Sequence, residues 1–199
     1  MKLKSINNIL ETLKNIEDPA KKRVAFIGIL TNELKNNDKF PPVIVGGEAL
    51  EIYTQGNYTT GDIDIITKES KKTLLNILKK WDFKELDRFI ANEELDIYID
   101  ICGDIYDKKR TNIIKLNDNT AITLITVEDL IIDRFCSFKF WKIKEDFRWG
   151  LVLLYNYDKK IDKKYLKERA LEENISDILK KAKNKIAYEV KKNGPNMGL

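Results

Sequence analysis

The chain has 199 residues, 43% of them hydrophobic and 34% charged, which is a composition typical of a globular protein with one good core. It contains no histidine, so a Ser-His-Asp triad, a Cys-His pair and a histidine-ligated metal are all excluded. Any catalysis must use carboxylates, Lys, Arg, Tyr, Cys or hydroxyl groups, and a cation with oxygen ligands such as Mg²⁺ is still available.

The net charge of +4 is unevenly distributed along the chain. Residues 1–40 carry 8 Lys or Arg and 5 Asp or Glu, residues 41–154 carry 16 and 20, and residues 155–199 carry 12 and 7. An acidic middle between basic ends suits a carboxylate metal site flanked by surfaces that attract a polyanion. A solvated lysine-rich helix face explains the basic ends equally well.

Cysteine usage and hydropathy indicate the compartment. Cys102 and Cys136 lack CxxC spacing, so neither a disulfide framework nor a zinc site is indicated. No apolar run approaches the roughly 20 residues of a membrane helix, and the N-terminus has no apolar signal core. We therefore expect a cytoplasmic protein without a membrane partner.

The elements predicted along the chain are two N-terminal helices, a middle region that contains all the strands, and a series of helices at the C-terminal end. Helical spacing of apolar residues covers 3–17, and Pro19 can occupy the first turn of a second helix that ends near Leu34. Further helices are predicted at 48–53, 69–81, 126–140, 142–156, 162–173 and 176–192. Strands are predicted at 43–45, 62–67, 83–90, 94–102, 112–116 and 120–125. This order predicts an α+β fold, with N-terminal helices over 1–40, a mixed sheet core over 41–125 and a helical region over 126–199.

Gly46 and Gly47 lie between a buried strand and the start of a helix. Glycines at such a turn allow the backbone to approach a phosphate closely, and a helix N-terminus offers unpaired N–H groups. A Gly pair in this place is more often only a turn, so this signal alone is weak.

Asp62 and Asp64 stand two residues apart on a predicted strand, so both carboxylates face one way while Ile63 and Ile65 face the other. Two carboxylates so placed can hold the divalent cations of phosphoryl-group displacement. An edge strand with a solvated acidic face explains the pattern equally well.

The run LDIYIDIC repeats this alternation, with Asp96, Tyr98 and Asp100 on one face. If this strand pairs with residues 62–66, one of its acids joins the first two. Simple alternation in a half-exposed strand is the alternative, and Asp96 needs no other explanation.

The run VGGEALEIYTQGNYTTGDIDIIT strongly resembles the signature of the polymerase β-like nucleotidyltransferases. The later runs TVEDLIIDRFCSFKFWKIKEDFRWGLVLL and KKYLKERALEEN are similar to the helical tail of a prokaryotic subgroup of abortive-infection and toxin–antitoxin nucleotidyltransferases. The resemblance covers about residues 41–175. It implies a nucleotidyltransferase fold and transfer of an NMP from an NTP to an acceptor hydroxyl.

The resemblance also implies roles for particular residues. Gly46 and Gly47 would cradle the nucleotide triphosphate, and Asp62, Asp64 and Asp100 would be catalytic and bind Mg²⁺, or Mn²⁺ in its place. Many active members have Ser where Gly47 stands, so a side-chain phosphate contact is missing here.

The basic residues of the helical tail offer further phosphate contacts. Lys142 follows a helix break beside Trp141 and is the preferred candidate, with Arg134, Lys139 and Arg148 as the others. For any one of these, a solvated surface charge is the more common role. Asp129 and Asp146 are alternative, structural partners for Arg134 or Arg148.

The acceptor is not determined by the sequence. The basic ends favour RNA as the acceptor, especially a tRNA 3′ end. The residues expected to bind its phosphates are the lysines of the last helix: Lys180, Lys181, Lys183, Lys185, Lys191 and Lys192. A protein hydroxyl in a cognate toxin or antitoxin is the next alternative. An inactive antitoxin or regulator that keeps the fold is the rival from another class.

Overall fold

The computed structural model describes residues 2–104, 106 and 110–194, with only the backbone described for residues 2–7. The described residues form eight α-helices and seven strands. The chain divides into two compact units, Met1–Ile125 and Thr126–Leu199. The mixed sheet with helices before and after it confirms the predicted α+β fold class.

The first unit contains all seven strands. They are β1 (Val43–Ile44), β2 (Ile63–Ile66), β3 (Lys84–Leu86), β4 (Phe89–Asn92), β5 (Ile97–Gly103), β6 (Thr111–Asn117) and β7 (Thr120–Ile125). The helices are α1 (Lys2–Lys14), α2 (Pro19–Asn36), α3 (Gly46–Thr54) and α4 (Lys71–Leu78), which a 3₁₀ turn at Lys79–Trp81 follows. The strands form one sheet in the order β3-β4-β5-β2-β1-β7-β6, in which β1–β7 and β2–β5 pair in parallel and the other pairs are antiparallel.

Alternation of apolar and acidic residues determines which face of β2 is buried. Ile63 and Ile65 are each 1% exposed, whereas Asp64 is half-buried on the opposite face. Full burial of an isoleucine side chain contributes about 1.5–3 kcal/mol. A one-residue slip of β2 would expose both isoleucines and bury the acid, so the register is strongly specified.

Local sequence also fixes the helix starts. Pro19 is the first residue of α2, as predicted, and the Asp18 side chain accepts the backbone N–H of Lys21 at 3.1 Å. α3 begins at Gly46, two residues earlier than predicted, so both glycines lie in its first turn.

The single strand predicted over 83–90 is wrong. The chain instead makes a hairpin of β3 and β4 that turns at Asp87 and Arg88. Asp87 has φ 50°, a left-handed conformation that Asp tolerates in turns because its short side chain bonds locally.

The second unit is helical. It consists of α5 (Val127–Trp141), α6 (Lys144–Asn156), α7 (Lys163–Glu172) and α8 (Ser176–Asn193). The Thr126 hydroxyl accepts the N–H of Asp129 at 3.2 Å and donates to its carboxylate at 2.9 Å, so Thr126 caps the N-terminus of α5. Among the described residues, every helix is too short or too polar to cross a membrane.

Candidate active site

Asp64 and Asp100 lie side by side on neighbouring strands. β2 and β5 run parallel, and the register places Asp64 opposite Asp100, with Ile63 opposite Ile99. Paired residues of adjacent strands point to the same face, so the two carboxylates share the half-buried side of the sheet. Asp96 is exposed and lies outside β5, in a left-handed conformation.

Asp62 directly precedes β2 rather than lying inside it. Its Oδ1 accepts a hydrogen bond from the Thr60 hydroxyl at 2.9 Å. Its Oδ2 lies 3.6 Å from Nη2 of Arg88, and the Nε of the same guanidinium lies 3.3 Å from Oδ2 of Asp100. Arg88 therefore lies close to both Asp62 and Asp100, two of the three acids that the resemblance implies as metal ligands.

The Gly pair contacts the third acid. The backbone N–H of Gly47 donates to Oδ2 of Asp64 at 2.7 Å. Gly46 has φ +55°, and a Cβ added to it would come 2.2 Å from the same oxygen. Only glycine satisfies both the left-handed backbone and the close approach of the carboxylate.

The oxygen-rich donor set around Asp64 fits a hard divalent cation. One ligand atom from each of Asp64, Asp100 and Cys102 lies within 4.8 Å of the others. Burial, together with the nearby Asp64 and Asp100 carboxylates, raises the pKa of the Cys102 thiol to about 12, so the metal-free protein holds it as a neutral thiol. Two carboxylates with a single cysteine and no imidazole suit Mg²⁺ or Mn²⁺ better than zinc, whose sites mainly use several thiolate or imidazole ligands.

Burial also acts on Asp64 itself. It raises the pKa of Asp64, and the neighbouring Asp62 and Asp100 carboxylates act in the same direction, while the Gly47 N–H opposes them. The ionised form of Asp64 is therefore disfavoured without a cation. A bound cation would compensate both the burial and the repulsion.

A buried ionic network supports the Gly turn and was not foreseen from the sequence. Arg23 donates from Nε to Oε2 of Glu48 at 2.6 Å and from Nη2 to Oε2 of Glu51 at 2.5 Å. The same Glu51 oxygen accepts the backbone N–H of Thr60 at 2.9 Å. Burial raises the pKa of Glu48 to about 7, although Arg23 acts against this. The network connects α2, α3 and the segment that leads into Asp62.

Little in the sequence points to Arg88 or Cys102. Arg88 lies inside the predicted strand 83–90, and the spacing of Cys102 bears only on disulfides and zinc sites. Cys102 could have been found by the alternation in β5, since it stands two residues after Asp100 on the same face.

Lys142 does not begin a helix, contrary to the expectation from the sequence. It follows the C-terminal residue of α5 with φ 62°, and its amine donates to the carbonyl of Lys139 at 2.8 Å. Its three alternatives all form ion pairs within the second unit: Arg134 with Asp146 at 3.0 Å, Lys139 with Asp177 at 2.8 Å and Arg148 with Glu145 at 3.2 Å. A phosphate role for Lys142 stays a prediction.

The lysines of α8 have different surroundings. Lys181 lies over the rings of Phe138 and Phe147, at 5.1 and 5.2 Å, and Lys185 pairs with Glu189 at 4.0 Å. Lys183 instead lines a cavity of about 800 Å³, together with three lysines from the α6–α7 segment: Lys159, Lys160 and Lys163. We call these four the lysine groove.

Four lysines and one aspartate give the lining of the lysine groove a formal charge of +3. Its acidic lining residue, Asp158, is paired with Lys163 at 3.0 Å. Partial burial lowers the pKa of Lys183, and the nearby Lys167 and Lys163 lower it further. Leu154, Ile186 and Val190 add an apolar lining. Such a surface attracts an anion that also carries apolar groups.

A family model described as a nucleotidyltransferase of unknown function (DUF6036) matches residues 22–193. The chain belongs to this nucleotidyltransferase family. The matched range contains the Gly turn, the three acids and almost the whole second unit. No curated protein and no solved structure matches the chain.

Proposed function

We propose that the chain transfers a nucleoside monophosphate from an NTP to an acceptor hydroxyl, with Asp62, Asp64 and Asp100 as catalytic ligands of Mg²⁺ or Mn²⁺. The observation that carries this proposal is the register of β2 and β5, which puts Asp64 opposite Asp100 at the point where Gly47 contacts Asp64. The proposed metal ligands and the proposed phosphate-binding turn are therefore in contact at Asp64.

The reaction forms a bond between the acceptor oxygen and the α-phosphorus and breaks the bond to the β-phosphate oxygen, so pyrophosphate leaves. When bound, the cation would polarise the α-phosphate and offset the charge that develops there. Asp100 would take up the proton of the acceptor hydroxyl directly or through water. Gly46 and Gly47 would hold the phosphates by backbone contacts, as the helix N-terminus favours anions.

The acceptor that we propose is RNA, a tRNA 3′ end being the specific case. The lysine groove supports this choice, because Lys159, Lys160 and Lys183 form no ion pair with a carboxylate of the described residues, and the apolar lining of the groove suits sugars and bases. A protein hydroxyl of a toxin or antitoxin partner, as in the abortive-infection subgroup, is the competing outcome of the test.

Incubation with each α-labelled NTP, Mg²⁺, and total RNA or a candidate partner protein tests the proposal. A label on RNA supports it, and a label on protein alone supports the competing acceptor. Asp62→Ala and Asp64→Ala should abolish labelling, and Asp100→Ala should lower it by about two orders of magnitude or more. The control Asp96→Asn removes the charge of an exposed acid, and asparagine tolerates the left-handed backbone at this position, so this variant should retain activity. Equal loss for Asp96 and Asp100 contradicts the choice of the third carboxylate.

A further inference from the structure

Arg88 occupies an unusual place for a cation. It lies at the tip of the β3–β4 hairpin, and its side chain is 66% exposed, yet its guanidinium reaches both Asp62 and Asp100. Its charged group also lies 4.7 Å from the ring centre of Phe89, which packs edge-on against Tyr98 of β5 at 5.9 Å. The hairpin tip is therefore anchored two residues from Asp100.

The contacts of Arg88 with the acids are not those of a strong structural ion pair. At 3.3 and 3.6 Å they are longer than charge-assisted hydrogen bonds, and an exposed pair of this kind is weak because water screens it. A divalent cation on Asp62 and Asp100, as the proposed function requires, would compete with the guanidinium for these carboxylates. Arg88 would then be released, while its contact with Phe89 would keep it close to the site.

We propose that Arg88 is a further substrate ligand, whose guanidinium binds phosphate oxygens of the NTP once a divalent cation occupies Asp62 and Asp100. This inference rests on the proposed function. A guanidinium is always protonated and its planar fork matches two phosphate oxygens, so it binds the charge of a triphosphate or of departing pyrophosphate better than an ammonium does.

Arg88 should therefore have opposite effects on the binding of metal and on the binding of nucleotide. Without nucleotide it competes with the metal for the carboxylates, so its removal strengthens metal binding. With nucleotide present it adds a contact, so its removal weakens nucleotide binding. If Arg88 only held the carboxylates in place, its removal would weaken both metal binding and nucleotide binding, because the carboxylates would lose their alignment.

Two equilibrium titrations of the full chain test this. Mn²⁺ binding is followed by electron paramagnetic resonance, and binding of a non-hydrolysable α,β-methylene NTP analogue with Mn²⁺ is followed by calorimetry. Arg88→Ala should bind Mn²⁺ about two- to fivefold more tightly and the analogue about tenfold more weakly. Arg88→Lys should lie between. The control Lys84→Ala removes an exposed charge from the same hairpin and should stay within about twofold of wild type for both.

An unchanged affinity for the analogue in Arg88→Ala overturns the inference alone, provided that wild type binds Mn²⁺ and the analogue. Weaker Mn²⁺ binding in Arg88→Ala also overturns it, since Arg88 would then hold the acids in place rather than contact substrate. If folded wild-type protein binds neither Mn²⁺ nor the analogue, the proposed function itself fails.

Discussion

Gly47 donates its backbone N–H to Oδ2 of Asp64 at 2.7 Å, and this hydrogen bond joins the first turn of α3 to β2. Gly46 lies against the same oxygen, where a Cβ would have no room. The proposed phosphate-binding turn at Gly46 and Gly47 is thus in direct contact with the proposed metal ligand Asp64. A change in either should therefore displace the other.

Gly46→Ala should damage both the fold and the site. The added Cβ meets Oδ2 of Asp64 at 2.2 Å, and φ +55° is unfavourable for alanine, so the free energy of unfolding should fall by at least about 1–2 kcal/mol. Urea unfolding measures the loss, and Mn²⁺ titration should show weaker binding. Gly61→Ala is the matched control, because a Cβ there meets no described atom within 4 Å. Equal tolerance of both changes would argue against the constraint.

Asp64→Asn should melt higher than wild type in the presence of chelator. Burial and the neighbouring acids disfavour the ionised carboxylate, and Asn keeps its shape without the charge. A gain of about 1 kcal/mol corresponds to a rise of about 2–4 °C in Tm for a chain of this size. The variant should also lose most of the rise that Mg²⁺, or Mg²⁺ with NTP, gives wild type. An Asn variant that melts lower and responds to Mg²⁺ like wild type contradicts a shared site.

Substitutions at Gly47 and Thr60 should have coupled effects on metal binding. A Cβ on residue 47 would lie 2.9 Å from Oγ1 and 3.2 Å from Cβ of Thr60, whose hydroxyl orients Asp62. Gly47→Ser should therefore displace Thr60 and weaken metal binding, although the resemblance to polymerase β-like nucleotidyltransferases implies serine at this position. Combining it with Thr60→Ala should relieve the overlap.

A double-mutant cycle on Mn²⁺ affinity checks this pairing, with a coupling of about 0.5–3 kcal/mol expected between the two sites. Thr60→Val, which keeps the shape without the hydroxyl, should weaken binding, and Thr60→Ser should restore it. Additive effects in the cycle would mean that the two positions are independent.

Glu48 predicts a pH dependence of stability. Its pKa is raised from 4.5 to about 7, chiefly by burial, so the folded state holds the proton more tightly than the unfolded state. The free energy of unfolding should therefore fall as the pH rises from about 4.5 to about 7, by up to about 3 kcal/mol. Glu48→Gln should remove most of this slope in urea titrations with chelator. Glu94→Gln, at an exposed glutamate paired with Lys14, should keep it.

The lysine groove, rather than the whole of α8, should bind RNA. Replacing Lys159, Lys160 and Lys183 by Gln should weaken binding and flatten its salt dependence, by about 0.7 in the log–log slope for each lost single-strand phosphate contact. The charge-matched control replaces lysines of α8 that lie outside the groove lining: Lys180, Lys191 and Lys192. Fluorescence anisotropy at several salt concentrations separates the two sets. Equal losses in both would assign the effect to net charge.

The sequence alone was enough for the α+β class and for most helices and strands, because those depend on short-range periodicity and on local signals such as Pro19 and Thr126. Alternation of Asp and Ile was also enough to place Asp62 and Asp64 on one side of a strand. It left the hairpin tip at Arg88 hidden, since a polar turn of two residues barely interrupts the pattern of residues 83–90.

Only the tertiary structure decided which charges meet. The parallel register of β2 and β5 puts Asp64 opposite Asp100, and the turn at Arg88 brings a cation to Asp62 and Asp100. The ion pairs of Arg23 with Glu48 and Glu51 cross 25 and 28 residues of chain. Lys183 likewise lines one groove with Lys159, Lys160 and Lys163, apart from the other lysines of α8. Periodicity tells which face of an element a residue occupies, whereas the partner on that face depends on contacts between segments distant in sequence.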